Sequence, residues 1–334
     1  MTELTITKPD DFHLHLRQGD LMKQLVPLTA ESFARALVMP NLQPPVVSAS
    51  DLKSYQKDLA AVGSDLQLLM TFKLMPSTTP QMVAELRQAG AVAGKLYPQG
   101  VSVNSEDGVT DVEALYSVFD AMQEQNLVLC IHGEMPGVGE MEAETAFLPT
   151  LQALHTNFPR LRIVLEHVST RAGVEMIKSL SATVGATVTV HHLLLTIDDV
   201  RHDHHINPHH YCRPVCKSEV DRKILLETVL SGHPQFFFGS DSAPHLKATK
   251  EVSTGEPSRG VFSTPVALPL LAQLFEEYDQ LSRLEAFVAQ LGADFYQLPK
   301  NKDSITLQRS PWTVPQEYFG VVPLWAGKTL EWKI

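Results

Sequence analysis

The sequence predicts an α/β protein folded as a (β/α)8 TIM barrel, and three observations carry that reading. Eight short apolar runs alternate with capped helical stretches along most of the chain. The runs are rich in Val, Leu, Ile and Phe at successive positions, which suits parallel strands covered by helices on both faces. Polar side chains fall at the C-terminal ends of these runs and almost nowhere inside them, the place where barrel enzymes carry their chemistry.

The strand candidates are Phe12–Leu16, Ala36–Met39, Leu66–Phe72, Ala93–Tyr97, Leu127–Gly133, Leu161–His167, Thr187–Leu193 and Gln235–Gly239. The helical stretches between them carry start and stop signals. Asp51 precedes one, Pro80 opens Gln81–Gln88 and Gly90 closes it, Asp111 precedes Val112–Gln125, and Ser218–Leu230 ends at Gly232. A doubly wound open sheet produces the same alternation, but no G-x-G-x-x-G or P-loop glycine pattern supports a nucleotide-binding sheet. After the eighth run, Pro265–Tyr278 and Leu281–Gln297 read as two further helices. The remainder, 299–334, has a strand-like end at Thr329–Trp332 and is too short for an independent core. Residues 1–334 are therefore expected to form a single domain, with 299–334 as a C-terminal covering segment.

Composition narrows the function classes. With 44% apolar and 19% charged residues in 334, the chain has the material for a large core and is not disordered. Its net charge of −11 disfavours a nucleic-acid backbone or an anionic membrane surface as partner. The three cysteines, Cys130, Cys212 and Cys216, are odd in number and lack C-x-x-C spacing, which argues against a disulfide framework and for a reducing compartment. No apolar run reaches the ~18 residues of a membrane span. The stretch Met1–Asp10, carrying Glu3, Lys8 and Asp10, does not read as a signal peptide. A cytoplasmic globular protein with no nucleic-acid or membrane partner is expected.

The first run ends in His13-Leu14-His15-Leu16-Arg17. Strand alternation puts His13, His15 and Arg17 on one face and Phe12, Leu14 and Leu16 on the other. The two imidazoles then stand roughly 6.7 Å apart, near enough to lean onto one metal ion. Taken singly, the other strand-end residues have ordinary readings. Asn41 follows Pro40 after run two; Lys95 interrupts an apolar run, and such a lysine usually extends to solvent. His132, His167 and the pair His191-His192 close runs five, six and seven, and a lone histidine is more often a core residue than a ligand. Asp241-Ser242-Ala243-Pro244, followed by His245, is a good turn sequence. Their shared position at strand ends weakens all of these readings at once and describes an active site at one mouth.

His13, His15, His132, His167 and Asp241 supply imidazole and carboxylate ligands of the type zinc prefers. Five exceed the three protein ligands of a mononuclear catalytic site. They suit two ions about 3.5–4 Å apart, a binuclear metal centre at the C-terminal mouth. Two such cations need an anionic bridge. Hydroxide is one candidate. A carbamate, formed when a neutral Lys95 amine takes up carbon dioxide, is another, and it explains a lysine among histidines better than a free ammonium.

The segments His13-Leu14-His15, Gly94-Lys95-Leu96-Tyr97-Pro98, Ile131-His132-Gly133-Glu134, Leu165-Glu166-His167 and Gly239-Ser240-Asp241-Ser242-Ala243-Pro244-His245 are similar to those of the amidohydrolase superfamily. Asp10-Asp11-Phe12-His13-Leu14-His15-Leu16-Arg17, Val38-Met39-Pro40-Asn41 and Tyr211-Cys212 more closely resemble dihydroorotases of the shorter bacterial, homodimeric type. The similarity runs from Pro9 through essentially the whole chain. It implies two zinc ions per subunit, bridged by N6-carboxylated Lys95 and hydroxide. It also implies that His13 and His15 hold the more buried zinc, His132 and His167 the second, and that Asp241 binds the first and acts as general base and acid. Arg17, Asn41 and His245 are implied to grip the substrate carboxylate, with His132 beside the substrate and backbone groups near Arg213 and Arg259 touching the pyrimidine ring.

The activity implied is the interconversion of N-carbamoyl-L-aspartate and (S)-dihydroorotate in de novo pyrimidine biosynthesis. The bridging hydroxide attacks the ring amide carbonyl, and Asp241 carries its proton to the leaving ring nitrogen. The site's formal charge, about +2 with Arg17 counted, attracts an anionic substrate even though the whole chain is negative.

One departure from the family pattern stands out. Gln99–Gly108 reads as a mobile lid, and where the family commonly carries two adjacent threonines this chain has Ser102-Val103. Those threonines hydrogen-bond the bound substrate in the family, and Ser102 alone is expected to supply the remaining contact. A rival metal site, His202, His204, His205, His209 and His210, lacks a spacing shared by all its members and reads as a surface loop; His155, His191 and His233 read as structural. Two competing functions remain in view. Another cyclic amidase (hydantoinase, dihydropyrimidinase or allantoinase) would keep the metal ligands and lysine but has less use for Arg17 and Asn41. A non-catalytic dihydroorotase-like scaffold typically lacks several ligands, and none is missing here.

Overall fold

The computed structural model describes residues 2–203 and 205–334. Its strands are β1 Glu3–Thr7, β2 Asp10–Leu14, β3 Arg35–Val38, β4 Gln67–Lys73, β5 Ala91–Leu96, β6 Val128–Ile131, β7 Ile163–Leu165, β8 Val184–Val188, β9 Arg201–His202, β10 His205–Ile206, β11 Phe236–Phe238, β12 Ser304–Thr313 and β13 Thr329–Lys333. Eight of them, β2 to β8 and β11, form one parallel sheet in sequential order, with β11 and β2 at its ends. Those ends meet at the C-terminal rim. Asp241 N donates to His13 O at 2.8 Å, and His15 N donates to Ser242 O at 3.0 Å, which closes the sheet into a (β/α)8 barrel.

Period-two alternation stacks the barrel interior in layers. Leu37 and Met39, Val128 and Cys130, Val164 and Phe237 form one apolar cluster inside it. The inward series Met39–Asn41, Ala93–Lys95–Tyr97, Cys130–His132 and Phe237–Gly239–Asp241 then run from this apolar layer up to the polar mouth. At the opposite end the short helix Leu291–Phe295 and the following Tyr296 plug the barrel, Tyr296 stacking on Phe12 at 4.7 Å between ring centroids. Gly292 makes this approach possible, because a Cβ there would lie 2.3 Å from the Phe12 ring.

The sequence expectations differ from the structure in four places. Phe12 packs inside the barrel with Leu37 and Met39, although alternation assigned it to the face opposite His13. A register shift between Asp11 and Leu14 turns both Phe12 and His13 inward, while Leu14 and Leu16 join the outer core. The seventh barrel strand is Val184–Val188 and not Thr187–Leu193. Thr189 ends it by capping a new helix, Val190–Leu194, its hydroxyl accepting from His192 N at 3.1 Å, so His191 and His192 sit on a helix. The stretch 281–297 is not one helix but a 3-10 turn, a π-helical turn at Ala286–Gln290 and the plug helix.

The fourth difference is a second sheet that alternation did not reveal. β1 pairs antiparallel with β12, and β12 with β13, so the two ends of the chain lie together. There Trp332 is fully buried and donates to Glu276 Oε2 at 2.9 Å. Among the described residues, no helix is long and apolar enough to cross a membrane.

Candidate active site

The C-terminal ends of the barrel strands converge on a pocket lined by His13, His15, Arg17, Asn41, Tyr97, Ser102, Val103, His132, His167, Arg213, Asp241, Ala243, Arg259 and Gly260. His13 Nε2 and His15 Nε2 lie 3.4 and 3.2 Å from the same oxygen, Asp241 Oδ1, and these three residues form a cluster able to hold a metal ion. The His167 ring is 5.1 Å from that of His13 and 4.7 Å from that of His132, centroid to centroid, so the four imidazoles are contiguous. Lys95 lies below them, wholly buried, and its Nζ has no hydrogen-bond partner among the described residues. The Tyr97 ring is 5.2 Å from that nitrogen, and the Tyr97 hydroxyl is likewise buried and unpartnered.

Burial controls the protonation of this set. It lowers the pKa values of His13, His15, His132 and His167, keeping the imidazoles neutral with lone pairs free for a metal. It lowers the Lys95 amine against the opposing pull of Glu166, Cys130 and Asp241, and it raises Asp241 against His13 and Lys95. Three site residues, Arg17, His167 and Asp241, have positive φ values of 61°, 43° and 42°. Non-glycine residues seldom adopt this conformation, and here it re-aims side chains just where strands end.

A layer of carboxylates, for which the strand-end pattern predicts no role, orients the histidines. Glu166 Oε2 lies 2.7 Å from His13 Nδ1 and accepts from the Thr187 hydroxyl at 2.6 Å. Burial raises the Glu166 pKa, but His13 and Lys95 outweigh it and hold the carboxyl at about 2. Glu134 Oε2 lies 2.7 Å from His132 Nε2, and Glu134 also receives a two-nitrogen fork from Arg213. These contacts leave Nε2 of His13 and Nδ1 of His132 free to face the pocket, the usual arrangement of carboxylate–histidine–metal triads. Asp11 accepts from the backbone N–H groups of His13 and Ser240 and ties the first and last barrel strands together. The signal for Glu166 was present, since it falls two residues after the inward Val164.

Arg17, Asn41, His245 and Arg259 form the outer wall. Arg17 Nη2 lies 3.0 Å from His245 Nε2, and its Nε donates to Pro244 O at 2.9 Å. His245 Nε2 is also 2.9 Å from Arg259 O, and His245 lines an adjoining outer cleft that shares Arg17, Asn41 and Val103 with the pocket. The loop 99–108 folds over the opening. Asn41 Nδ2 donates to Val103 O at 3.2 Å and Asn104 Nδ2 donates to Asn41 O at 2.9 Å. Lys73, buried at the end of β4, anchors the loop from beneath by donating to Asn104 O at 2.8 Å and pairing with Asp107. Nothing in the sequence pattern marked Lys73 for this role.

The histidine-rich segment lies elsewhere. His202 and His205 are exposed on the β9–β10 hairpin, and His209 and His210 are half-buried and hydrogen-bonded to Glu251 and to Asp199 O. His204 lies outside the described residues.

A closed parallel barrel with neutral imidazoles, an aspartate and a buried amine at its mouth defines a class: the protein is a barrel of the amidohydrolase superfamily. No protein-family model matches the chain. It is 43% identical to a dihydroorotase of Marinobacter nauticus over 346 residues, covering 99% of each chain. The crystal structure of Saccharomyces cerevisiae dihydroorotase in complex with 5-fluoroorotic acid superposes with a TM-score of 0.94 at 37% identity, covering 100% of this chain and 98% of that one. The dihydroorotase of Campylobacter jejuni gives 0.91 at 34%, with the same coverage. The chain belongs to the dihydroorotase family. An L-hydantoinase from Arthrobacter aurescens, at 18% identity and a TM-score of 0.82, shares the fold alone.

Proposed function

We propose that this chain interconverts N-carbamoyl-L-aspartate and (S)-dihydroorotate, a step of de novo pyrimidine biosynthesis. One observation carries the reading: the Lys95 amine, fully buried and without a partner, lies beneath four contiguous neutral imidazoles. Burial disfavours the charged form of this amine; once deprotonated it can react with carbon dioxide to give a carbamate, the kind of anion that a pair of divalent cations would need between them. The donor set fits two zinc ions: His13, His15 and Asp241 would hold one, His132 and His167 the other, and a carboxylated Lys95 would offer anionic oxygens to both. Zinc held there supplies Lewis acidity and brings a bound water's pKa close to neutrality.

The side chains do the rest. Asp241 accepts the proton released as water adds to the ring amide carbonyl and returns it to the ring nitrogen as the C–N bond breaks. Arg17, Asn41 and His245 bind the substrate carboxylate, His132 borders the substrate, and the backbone at Arg213 and Arg259 receives the ring. Glu166 positions His13, so Glu166→Gln should weaken metal affinity about 10- to 100-fold in a chelator competition; unchanged affinity would show that His13 needs no carboxylate behind it. Ser102 keeps the one lid hydroxyl left at positions 102–103 to hydrogen-bond the bound substrate. Ser102→Ala should turn over dihydroorotate more slowly than the parent, and equal turnover rejects the role. The chain is further read as one domain capped by 299–334, acting as a cytoplasmic homodimer.

Turnover of dihydroorotate against 5,6-dihydrouracil and hydantoin, which lack the carboxylate, tests the substrate assignment. Dihydroorotate should be strongly preferred. Arg17→Met should then raise KM for dihydroorotate alone, by a factor corresponding to about 2–5 kcal/mol for a lost partner of a partly buried charge. Preference for either neutral ring would overturn the assignment.

A further inference from the structure

A second group of metal-capable side chains lies outside the mouth. Nitrogens of His191 and His192 and the sulfur of Cys212 lie within 4.8 Å of one another, and all three residues are buried. His191 is fully buried, and neither ring nitrogen has a hydrogen-bond partner among the described residues. A buried imidazole satisfied at neither nitrogen is rare and points to a missing ligand. We propose that His191, His192 and Cys212 form a separate structural site for a thiophilic divalent cation, zinc by donor type.

The surroundings prepare His192 for this role. Its Nδ1 lies 2.8 Å from the Thr189 hydroxyl oxygen, and its Nε2 lies 3.0 Å from Pro214 O, the same oxygen that Cys212 Sγ approaches at 3.1 Å. Pro214 O accepts from both the His192 Nε2–H and the Cys212 thiol; an ion would take the place of these two donors, with the His192 proton moving to Nδ1, where the Thr189 hydroxyl oxygen accepts it, as outer-shell partners do for metal-bound histidines. Two imidazoles and one thiolate form a soft, nitrogen-rich set that suits zinc and not magnesium or calcium. Binding releases the thiol proton of Cys212.

The site shares no residue with the pocket, yet it borders one of its walls. Cys212 and Pro214 flank Arg213, whose guanidinium grips Glu134, the carboxylate behind His132. A cation here joins the helix Val190–Leu194 to the segment carrying Arg213. Neither the proposed reaction nor the centre at the mouth is needed for this inference.

The donor sulfur makes the test selective, because the cluster at the mouth and the exposed histidine hairpin contain no cysteine. Metal-depleted protein is titrated with cobalt(II), and thiolate-to-cobalt charge-transfer absorption is followed. The expected result is a band saturating at one thiolate-bound ion per chain, lost in Cys212→Ser and kept in Cys130→Ser. Wild type should also retain one more zinc equivalent per chain than Cys212→Ser. His191→Gln, which keeps the thiol and a polar side chain, should lower cobalt affinity at least about tenfold and serves if the cysteine variant does not fold. Absence of the band in wild type, its survival in Cys212→Ser, or full affinity in His191→Gln overturns the proposal.

Discussion

Lys95→Met is expected to lose metal and activity together, with kcat/KM falling by more than about 10³-fold. The magnitude follows from the several kcal/mol of charge stabilisation that a metal centre contributes to such a transition state, at about 1.4 kcal/mol per factor of ten. Methionine is close to lysine in length and apolar, so the barrel interior stays filled. The Lys95 amine makes no hydrogen bond to another described residue, so no partner is stranded by its removal. The metal-free variant should therefore melt at or above the temperature of the metal-free parent. Activity, metal content and melting temperature measured on the same preparations separate a chemical role from a structural one. A variant that holds two zinc ions and keeps a tenth of the parent's turnover would remove the basis for a bridging carbamate.

The second large effect is at Asp241. Asp241→Asn should reduce kcat about 10²- to 10⁴-fold, the usual contribution of a positioned general acid or base, with a much smaller change in KM. The substitution preserves shape. The residue sits at φ +42°, a conformation asparagine tolerates better than most side chains. Its N–H bond to His13 O, which closes the barrel, belongs to the backbone and survives the change. Because Asp241 is also read as a ligand of one ion, the kinetics are measured at saturating zinc with metal content checked; loss of the ionisable oxygen is then the main difference, and steady-state kinetics with dihydroorotate reads it. A kcat within tenfold of the parent would transfer proton movement to another group.

Much of the mouth was legible because a parallel strand buried on both faces tolerates few polar side chains, and those it carries cluster where it ends. His13, His15, Asn41, Lys95, His132, His167 and Asp241 were all visible in this way. Glu134 and Glu166 were visible as residues within motifs, but their work depends on which imidazole nitrogen each one faces, and sequence spacing carries no such information. Lys73 and Asp107 meet across a sequence separation of 34 residues, beyond the reach of any local pattern. Thr189 misled the strand assignment because a threonine in an apolar run suits a β-strand as well as a helix cap, and the choice is made by packing.

The sequence by itself determined the alternation of strands and helices, the polar ends of the strands, and the family pattern that joins them. These follow from local periodicity and residue type, which need no knowledge of distant contacts. Only the tertiary structure decided that Phe12 and His13 both turn inward, that the two ends of the chain share a sheet, and that His191 and Cys212 stand side by side. Such outcomes depend on closure of the barrel and on one strand's register against another, quantities set by all eight strands at once.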